Sequence, residues 1–276
     1  HKSASHILHK MVFLADLGFT AADARIAAIV DRVLAHRSVE GLYQVKMNIP
    51  KHFGGSGEDQ MAWALCDAPL IMYALVKFRV DHETHLKKGI DYLFSTVNEN
   101  GWPCKCSAEL GKFRGPGKKS DPCPVVNLIM LRLASQLPEY RNSVPAHNAI
   151  NCLLDCWQNS QQIHPYMFYM GTDFRKLKLP FVWYDILNVV HTLSHFDLAL
   201  ADPRFLEMVT LIQNKRQPDG SFIPESVWKS WADWDFGQKK HPSAYMTHII
   251  NDLLKRIHVP TTAAAPSGQR QPFPAP

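Results

Sequence analysis

A repeat of about sixty residues organises this chain. Four amphipathic segments, each ending in a polar turn, lie at residues 29–43, 89–102, 149–160 and 208–222. Equivalent apolar positions recur at close to this interval, at Val30, Ile90, Ile150 and Val209. A chain with this periodicity stacks similar supersecondary units instead of enclosing one irregular core.

The turns that follow these segments share a glycine and an aromatic residue in three of the four copies. The third copy, at residues 159–160, lacks the glycine. The three pairs are Gly41 and Tyr43, Gly101 and Trp102, and Gly220 and Phe222.

A second set of helical segments alternates with the first, at residues 4–19, 59–78, 123–137, 181–196 and 243–257. Several of these are apolar around much of their circumference, which indicates burial, whereas the first set keeps one polar face. Almost no segment has the period-2 pattern of a strand. The sequence therefore predicts an all-α fold of helical hairpins, each with an outer helix followed by an inner one. Such hairpins must stack, either as an open solenoid or as a ring around a cavity.

Composition sets further expectations for the whole chain. We expect a single domain over residues 1–258 and a disordered Pro/Ala-rich tail over 259–276. The net charge of +5 is mild and does not indicate a nucleic-acid partner. No apolar run reaches the roughly 18 residues that a transmembrane segment needs. Six cysteines are too few for a disulfide scaffold, and no leader is visible, so we expect a cytoplasmic protein.

Two turns carry a resemblance to a known family. The turn QNKRQPDGSF at 213–222 resembles the Q-x-G-x-aromatic turn of the prenyltransferase and squalene-oxidase repeat, and NENGWP at 98–103 resembles a second copy. The resemblance covers roughly residues 4–258. It implies an α/α toroid, in which inner and outer helix rings surround an apolar pocket. Members of this class usually have six or so hairpins, so the resemblance implies either an incomplete ring or a missing start.

The resemblance also implies a function. It points to a prenyltransferase-like or terpene-cyclase-like protein that binds an isoprenoid, or another apolar substrate with an anionic head, in a central cavity. Cyclases of this kind use a D-x-D-D acid, and Asp233-Trp234-Asp235-Phe236 matches it without the last acid. Asp233 and Asp235 are therefore candidate acids or simply loop and helix-cap residues. A non-catalytic toroid that binds a lipid-like ligand or a protein segment is the alternative.

Zinc is the cofactor that the resemblance suggests. Protein prenyltransferases hold zinc through D-x-C at the start of an inner helix, and Asp121-Pro122-Cys123 matches this motif. The following inner helix offers Trp183-Tyr184-Asp185 where the family has a histidine. Two nearby thiols could complete the site, so the candidate ligands are Cys104, Cys106, Asp121 and Cys123. Free thiols, or a local disulfide that includes Cys123, are the alternatives.

Basic residues concentrate in the connections from outer to inner helices. In a toroid these connections share one face, so they predict a positive rim around the cavity mouth, to which the inner-helix N-termini add partial charge. Such a rim suits a diphosphate or carboxylate head, and a solvated surface is the alternative. The residues are Lys105, Lys112, Arg114, Lys118, Lys119, Arg175, Lys176, Lys178, Lys239, Lys240 and His241.

The predicted cavity lining is aromatic. Trp63, Trp183, Tyr184 and Tyr245 lie near the starts of inner helices, where their ring faces could stabilise a carbocation or simply pack. Asp185 is the acid most expected inside the ring. A carboxylate there is costly unless it is paired, so Asp185 could be a general acid or base, a ligand, or the partner of a rim cation.

Overall fold

The computed structural model describes residues 3–113, 120–160, 162 and 168–258. The predicted tail at 259–276 and three rim residues, Arg114, Lys118 and Lys119, lie outside these ranges. The described chain is mostly helical, with eleven α-helices and a two-stranded antiparallel sheet, which confirms the helical class.

The elements follow in chain order. They are α1 (Ile7–Asp16), α2 (Ala24–Leu34), β1 (Val45–Met47), β2 (Gln60–Ala62), α3 (Ala68–Lys77), α4 (Lys87–Ser95), α5 (Pro124–Ala134), α6 (Pro138–Arg141), α7 (Val144–Gln158), α8 (Ile186–Leu193), α9 (Asp197–Leu200), α10 (Pro203–Gln213) and α11 (Ala244–His258).

Two predicted inner helices begin well after the start of their sequence patterns. Helix α8, predicted from residue 181, begins at Ile186, and α3 begins later still. Residues 59–78 were expected to be helical throughout, but Gln60–Ala62 form β2, which pairs antiparallel with Val45–Met47. Helix α3 starts only at Ala68, with Pro69 in its first turn. Proline lacks an N–H and fits the first turn of a helix but not its interior, so Pro69 marks the start. The expectation of a helix was wrong over residues 59–67, while a sheet of two three-residue strands agrees with the expectation of almost no strand.

The two helix sets differ in burial as their sequences indicate. Every residue of α5 is buried, from Pro124 to Ala134. Helix α2, from the other set, buries only Ile26 and Val30. The buried set is therefore the inner one. Among the described residues, no helix has both the length and the apolar character needed to cross a bilayer.

The inner helices pack against one another in chain order. Helix α1 contacts α3, α3 contacts α5, and α5 contacts α8, while α7 and α10 lie against the outer sides of α5 and α8. Helix α1 also meets the segment that leads into α11. The Phe13 ring lies 5.0 Å from the Trp231 ring and 5.8 Å from the Tyr245 ring, between centroids. The Trp231 indole N–H donates to the Ala4 carbonyl at 2.9 Å.

The repeated turns are held in the same way in two of the repeats. The backbone N–H of Trp102 donates to Asn127 Oδ1 at 2.9 Å, and that of Phe222 donates to Thr247 Oγ1 at 3.0 Å. Both aromatic side chains are fully buried. The preceding glycines have positive φ, which explains why the turn needs glycine. The φ angles are 89° at Gly41, 114° at Gly101 and 86° at Gly220.

Candidate functional site

A pocket of about 240 Å³ lies between the inner helices. Its walls come from the last turns of α1, α3 and α8, from the residues just after α5, from the length of α11 and from the segment before α8. The lining residues are Phe13, Asp16, Tyr73, Lys77, Gln136, Leu179, Pro180, Phe181, His191, His195, Tyr245, Ile249 and Arg256.

The lining follows the repeat. Asp16, Tyr73, His191 and Ile249 line the pocket. Arg132 does not line it but bonds to two lining residues, Asp16 and Phe181. In chain order, these five positions succeed one another at close to the repeat length. A second series with the same interval consists of Lys77, Gln136 and His195. The same positions of successive inner helices therefore face one space, as a periodic structure requires.

A buried ion pair forms the floor of the pocket. Arg132 is only 4% exposed, and its guanidinium donates to Asp16 Oδ2 and, at 3.2 Å, to the Phe181 carbonyl. The Tyr73 hydroxyl donates to Asp16 Oδ1 at 2.6 Å. Burial, and then the charge of Asp16, raises the pKa of Tyr73, so the phenol stays protonated at neutral pH. Because the Asp16 carboxylate accepts hydrogen bonds from Arg132 and Tyr73, the Arg132 charge can remain buried.

Two histidines and an arginine also line the pocket, namely His191, His195 and Arg256. Arg256 Nη1 donates to Ser194 Oγ at 2.6 Å and lies 3.0 Å from His195 Nε2. Burial, and then the Arg256 charge, lowers the pKa of His195 to about 3. The same two causes lower the pKa of His191 well below its usual value. Both rings are therefore neutral at pH 7, and His195 accepts from Arg256 through Nε2.

The pocket has an excess of positive charge. Asp16 is its single lining carboxylate among the described residues and is already paired with Arg132. Within the described part of the chain, Lys77 and Arg256 have no salt bridge; Lys77 lies over the Tyr73 ring, 5.8 Å from the centroid. Phe13, Phe181 and Tyr245 supply the apolar wall. The arrangement can attract an anion at one side and an apolar group at the other.

Comparison with known proteins gives no name to this arrangement. No protein-family model matches the chain, and no curated protein matches it significantly.

The predicted catalytic residues of α8 lie outside the pocket. Asp185 caps α8, since its Oδ1 accepts from the Asn188 N–H at 2.9 Å. Its Oδ2 is buried and has no partner within the described residues. Burial raises the pKa of Asp185 to about 7. Tyr184 is buried beside the Cys156 thiol, and burial raises its pKa well above the usual value.

The two acids of the D-x-D pattern sit at the surface. Asp235 Oδ2 accepts from Ser243 Oγ at 2.8 Å and from the Tyr245 N–H at 2.9 Å, so it caps the start of α11. Asp233 is exposed. Neither residue lines the pocket.

Of the four predicted aromatic lining residues, Tyr245 is the one that lines the pocket. Trp63 is buried elsewhere, and its indole N–H donates to Glu40 Oε2 at 3.1 Å. Trp183 is 37% exposed.

The predicted basic rim lies in the connections before the N-terminal ends of the inner helices. The pocket is lined mainly by residues at or near the C-terminal ends of these helices. Arg175 lies over the Trp157 ring, 5.1 Å from its centroid, and Lys176 pairs with Asp173 at 3.0 Å. Lys240 and His241 are exposed, and their backbone N–H groups donate to the Gln238 side chain. The cations that face the pocket are instead Lys77 and Arg256.

The predicted zinc ligands come together only in part. The Cys104 thiol donates a hydrogen bond to the Cys123 sulfur, which lowers the pKa of Cys123. The Cys106 thiol donates to the Phe113 carbonyl at 3.3 Å instead, and Asp121 is half-buried. Within the described ranges, no three or more His, Cys, Asp or Glu side chains group closely enough to hold a metal ion. Zinc binding stays a prediction.

Sequence reasoning missed most of the pocket residues. Asp16, Lys77, Arg132, His191 and Arg256 are polar residues in largely apolar inner helices, and they were treated as parts of those helices. The signal that could have found them is the repeat itself. Aligning the inner helices at intervals of 57, 59 and 59 residues, close to the repeat length, places Asp16, Tyr73, Arg132 and His191 in one column.

Proposed function

We propose that the protein is an α/α toroid whose central pocket binds a small ligand with an anionic head and an apolar or aromatic body. The observation that carries this proposal is the pairing of two unneutralised cations, Lys77 and Arg256, with an aromatic wall in one pocket.

The ring architecture is supported by three features. Inner helices α1, α3, α5 and α8 pack in sequence. Helix α1 also meets the residues around the start of α11 through Phe13, Trp231 and Tyr245. Repeat-equivalent positions of all five inner helices converge on one pocket, and an open solenoid would spread them along a surface.

The preference for an anion follows from charge. Two cations in a partly desolvated pocket attract an anion more strongly than the same cations do in water, because the effective dielectric is lower. The neutral imidazoles of His191 and His195 add no charge but can take part in hydrogen bonds. The paired Asp16 holds Arg132 in place and leaves the other two cations for a ligand.

The volume of the pocket limits the ligand. A space of about 240 Å³ lies below the roughly 300–1,000 Å³ of typical ligand pockets, so it suits a small molecule. That is a phosphate or carboxylate head with a short hydrocarbon or one small ring. Among isoprenoids, a five-carbon phosphate fits this size, and the chain of farnesyl diphosphate would have to extend out of the pocket.

Binding is better supported than turnover. At neutral pH the Tyr73 proton is engaged by Asp16, and His191 and His195 are weak bases because their pKa values are low. We therefore propose ligand binding as the primary function. Prenyl transfer is the second candidate, and the aromatic faces of Phe13, Tyr73, Phe181 and Tyr245 favour it, since such faces can stabilise a carbocation.

Titration calorimetry with isopentenyl diphosphate tests the proposal, with isopentenol as the headless comparison. We expect the diphosphate to bind and the alcohol to bind at least tenfold more weakly. Lys77→Met and Arg256→Met should each weaken binding about tenfold, which corresponds to roughly 1.4 kcal/mol. The matched control is Lys176→Met, which removes a cation from the predicted rim and should change affinity less than twofold.

Two results would overturn the proposal. One is the absence of binding by isopentenyl diphosphate, hexanoate and phenyl phosphate at millimolar concentration. The other is a loss of affinity in Lys176→Met as large as that in Lys77→Met and Arg256→Met, which would place the anion at the other end of the inner helices.

A further inference from the structure

Five aromatic rings from two distant parts of the chain form a continuous group beside the pocket. We call this group the aromatic cluster; its members are Phe13, Trp231, Trp234, Phe236 and Tyr245. The Phe13 ring lies 4.8 Å from the Trp234 ring, and the Phe236 ring lies 5.6 Å from the Tyr245 ring, between centroids. Phe13 and Tyr245 also line the pocket. The aromatic cluster therefore begins at the pocket wall.

The aromatic cluster extends from the pocket to solvent. Phe236 is fully buried and Trp231 is 4% exposed, whereas Trp234 is 43% exposed. The Trp234 ring stacks on the Phe236 ring with an interplanar angle of 15° and meets the Phe13 ring edge-on. Apolar surface thus continues from the wall of the pocket to a tryptophan at the protein surface.

Hydrogen bonds hold this tryptophan in position. The Trp234 N–H donates to the Trp231 carbonyl at 3.1 Å, and the Gly237 N–H donates to the Trp234 carbonyl at 2.8 Å. Asp235 Oδ2 joins the same segment to α11, because it accepts from the Tyr245 N–H at 2.9 Å. A large aromatic ring that is already fixed at the surface loses little further freedom when a ligand covers it. Trp234 is therefore well suited to bind an apolar group.

We propose that the hydrocarbon chain of the pocket's ligand lies along the aromatic cluster, so that the ligand is an anionic amphiphile with a linear chain longer than the pocket encloses. This inference rests on the proposed function, because the head must first bind at Lys77 and Arg256. Continuity identifies the occupant, since a chain that leaves the pocket past Phe13 comes directly to Trp234. The exposed carboxylate of Asp233, next to Trp234 in the chain, disfavours the reverse orientation with the anionic head on the cluster.

Titration calorimetry with butyl phosphate and octyl phosphate, each below its micellar concentration, tests the inference. A fully buried methylene group strengthens binding about fourfold, and a half-covered one about twofold. The four additional methylene groups of octyl phosphate should therefore tighten its binding to the wild type roughly tenfold. Trp234→Ala should remove most of this gain and change the affinity for butyl phosphate less than about twofold.

Trp183→Ala is the matched control. Trp183 is 37% exposed, close to Trp234 in this respect, but it precedes the N-terminal end of α8, whereas the pocket lies at the C-terminal end. This variant should keep the whole gain. If butyl phosphate binds but octyl phosphate binds no more tightly, or if Trp234→Ala keeps the gain, the inference is wrong while the pocket proposal stands. Binding of neither phosphate would contradict both.

A measurement on the wild type decides the case in which Trp234→Ala does not fold, as judged by circular dichroism. Octyl phosphate with a diazirine at the end of its chain is photolysed in the complex, and the labelled peptides are mapped. We expect the label on residues 231–236 and its suppression by excess unlabelled octyl phosphate. Labelling confined to other segments of the chain would overturn the inference.

Discussion

The two ends of the inner helices handle a buried carboxylate differently. At the pocket end, Arg132 and Tyr73 both donate hydrogen bonds to the Asp16 carboxylate. At the other end, Asp185 has a buried oxygen with no partner within the described residues, and its pKa rises to about 7. A carboxylate can thus be buried with a partner or with a proton. The first arrangement keeps charge available for recognition, and the second makes stability depend on pH.

The largest effect should come from removing the partner at the pocket end. Arg132→Met leaves Asp16 beneath the pocket without its counter-charge and leaves the Phe181 carbonyl without its donor. Breaking a buried pair from one side costs about 3–5 kcal/mol, so we expect the free energy of unfolding to fall by about 4 kcal/mol. Urea denaturation measures this change.

A double variant distinguishes the loss of the Arg132–Asp16 ion pair from the loss of side-chain packing. Arg132→Met combined with Asp16→Asn should be less destabilising than the sum of the two single changes, because no charge is left uncompensated. Simple additivity would contradict the view that the pair acts as one unit.

The second largest effect should be a gain in stability at the other end. Asp185→Asn keeps a helix-capping side chain but removes the carboxylate. Because the folded-state pKa of about 7 lies above the unfolded value near 4, ionisation opposes folding as the pH rises through this window. We expect the variant to be more stable than the wild type by up to about 4 kcal/mol at pH 8, since one pKa unit is worth about 1.36 kcal/mol, and nearly equal to it near pH 4.

The helix-capping residue Asp202 serves as a control, for which we expect the same substitution to lower stability. Asp202 also precedes a helix, but the hydrogen bonds and charge of Arg204 lower its pKa. Asp202→Asn should therefore destabilise the protein slightly at pH 8. If Asp185→Asn behaved like Asp202→Asn, the idea of a proton-stabilised carboxyl would be wrong.

A smaller effect concerns the turns that hold the N-terminal end. A side chain at Gly101 would place its Cβ 2.6 Å from Asn127 Oδ1, whereas Gly220 has open space within 4 Å and a similarly positive φ. We expect Gly220→Ala to cost about 1 kcal/mol from backbone strain alone. Gly101→Ala should cost about 2 kcal/mol more, because it also disrupts the hydrogen bonds between the Asn127 side chain and the Trp102 backbone. Thermal or urea unfolding of both variants measures the difference. Equal losses of stability would show that the Asn127 hydrogen bonds contribute little.

The smallest expected effect is the pH dependence of ligand binding in the pocket. Burial and Arg256 hold the pKa of free His195 at about 3, and a bound anion would raise it. Since the complex then binds protons more readily than the free protein, affinity should increase as the pH falls. A rise of about two pH units in this pKa predicts roughly twofold tighter binding at pH 5 than at pH 7.

Calorimetry with isopentenyl diphosphate at both pH values tests this dependence. The ligand also titrates, so the change measured with His195→Gln serves as the baseline, and the difference between the two proteins isolates the histidine. An identical pH dependence in the wild type and the variant would contradict the expectation.

The fold was more predictable than the site, for a physical reason. Burial on one side of a helix repeats along the chain, so periodicity located α5, α8 and α11 from their apolar residues. Local breaks in the pattern were harder to assign. The stretch before Ala68 pairs as a strand because a partner segment elsewhere in the chain supplies its hydrogen bonds, and periodicity does not report such partners.

Prediction of the pocket residues required knowing which end of the inner helices surrounds the pocket. Composition drew attention to lysines in the connections that precede inner helices, but side chains in the last helical turns face the pocket. Tyr245 was predicted because it is aromatic and lies on an inner helix. Arg132 was passed over because its long apolar stem fits a buried helix, and its charge is explained only once Asp16 is known to lie beside it.

The contact between Phe13 and Trp231 has a consequence for synthesis on the ribosome. One face of α1 is covered by aromatic rings that are encoded near the other end of the described chain, including Trp231, Trp234 and Tyr245. Until those residues leave the exit tunnel, that face remains open to water or to a chaperone. Helix α1 therefore waits for more than two hundred further residues before this face is covered, and nascent chains truncated before Trp231 should be much more sensitive to protease at α1 than chains that include it.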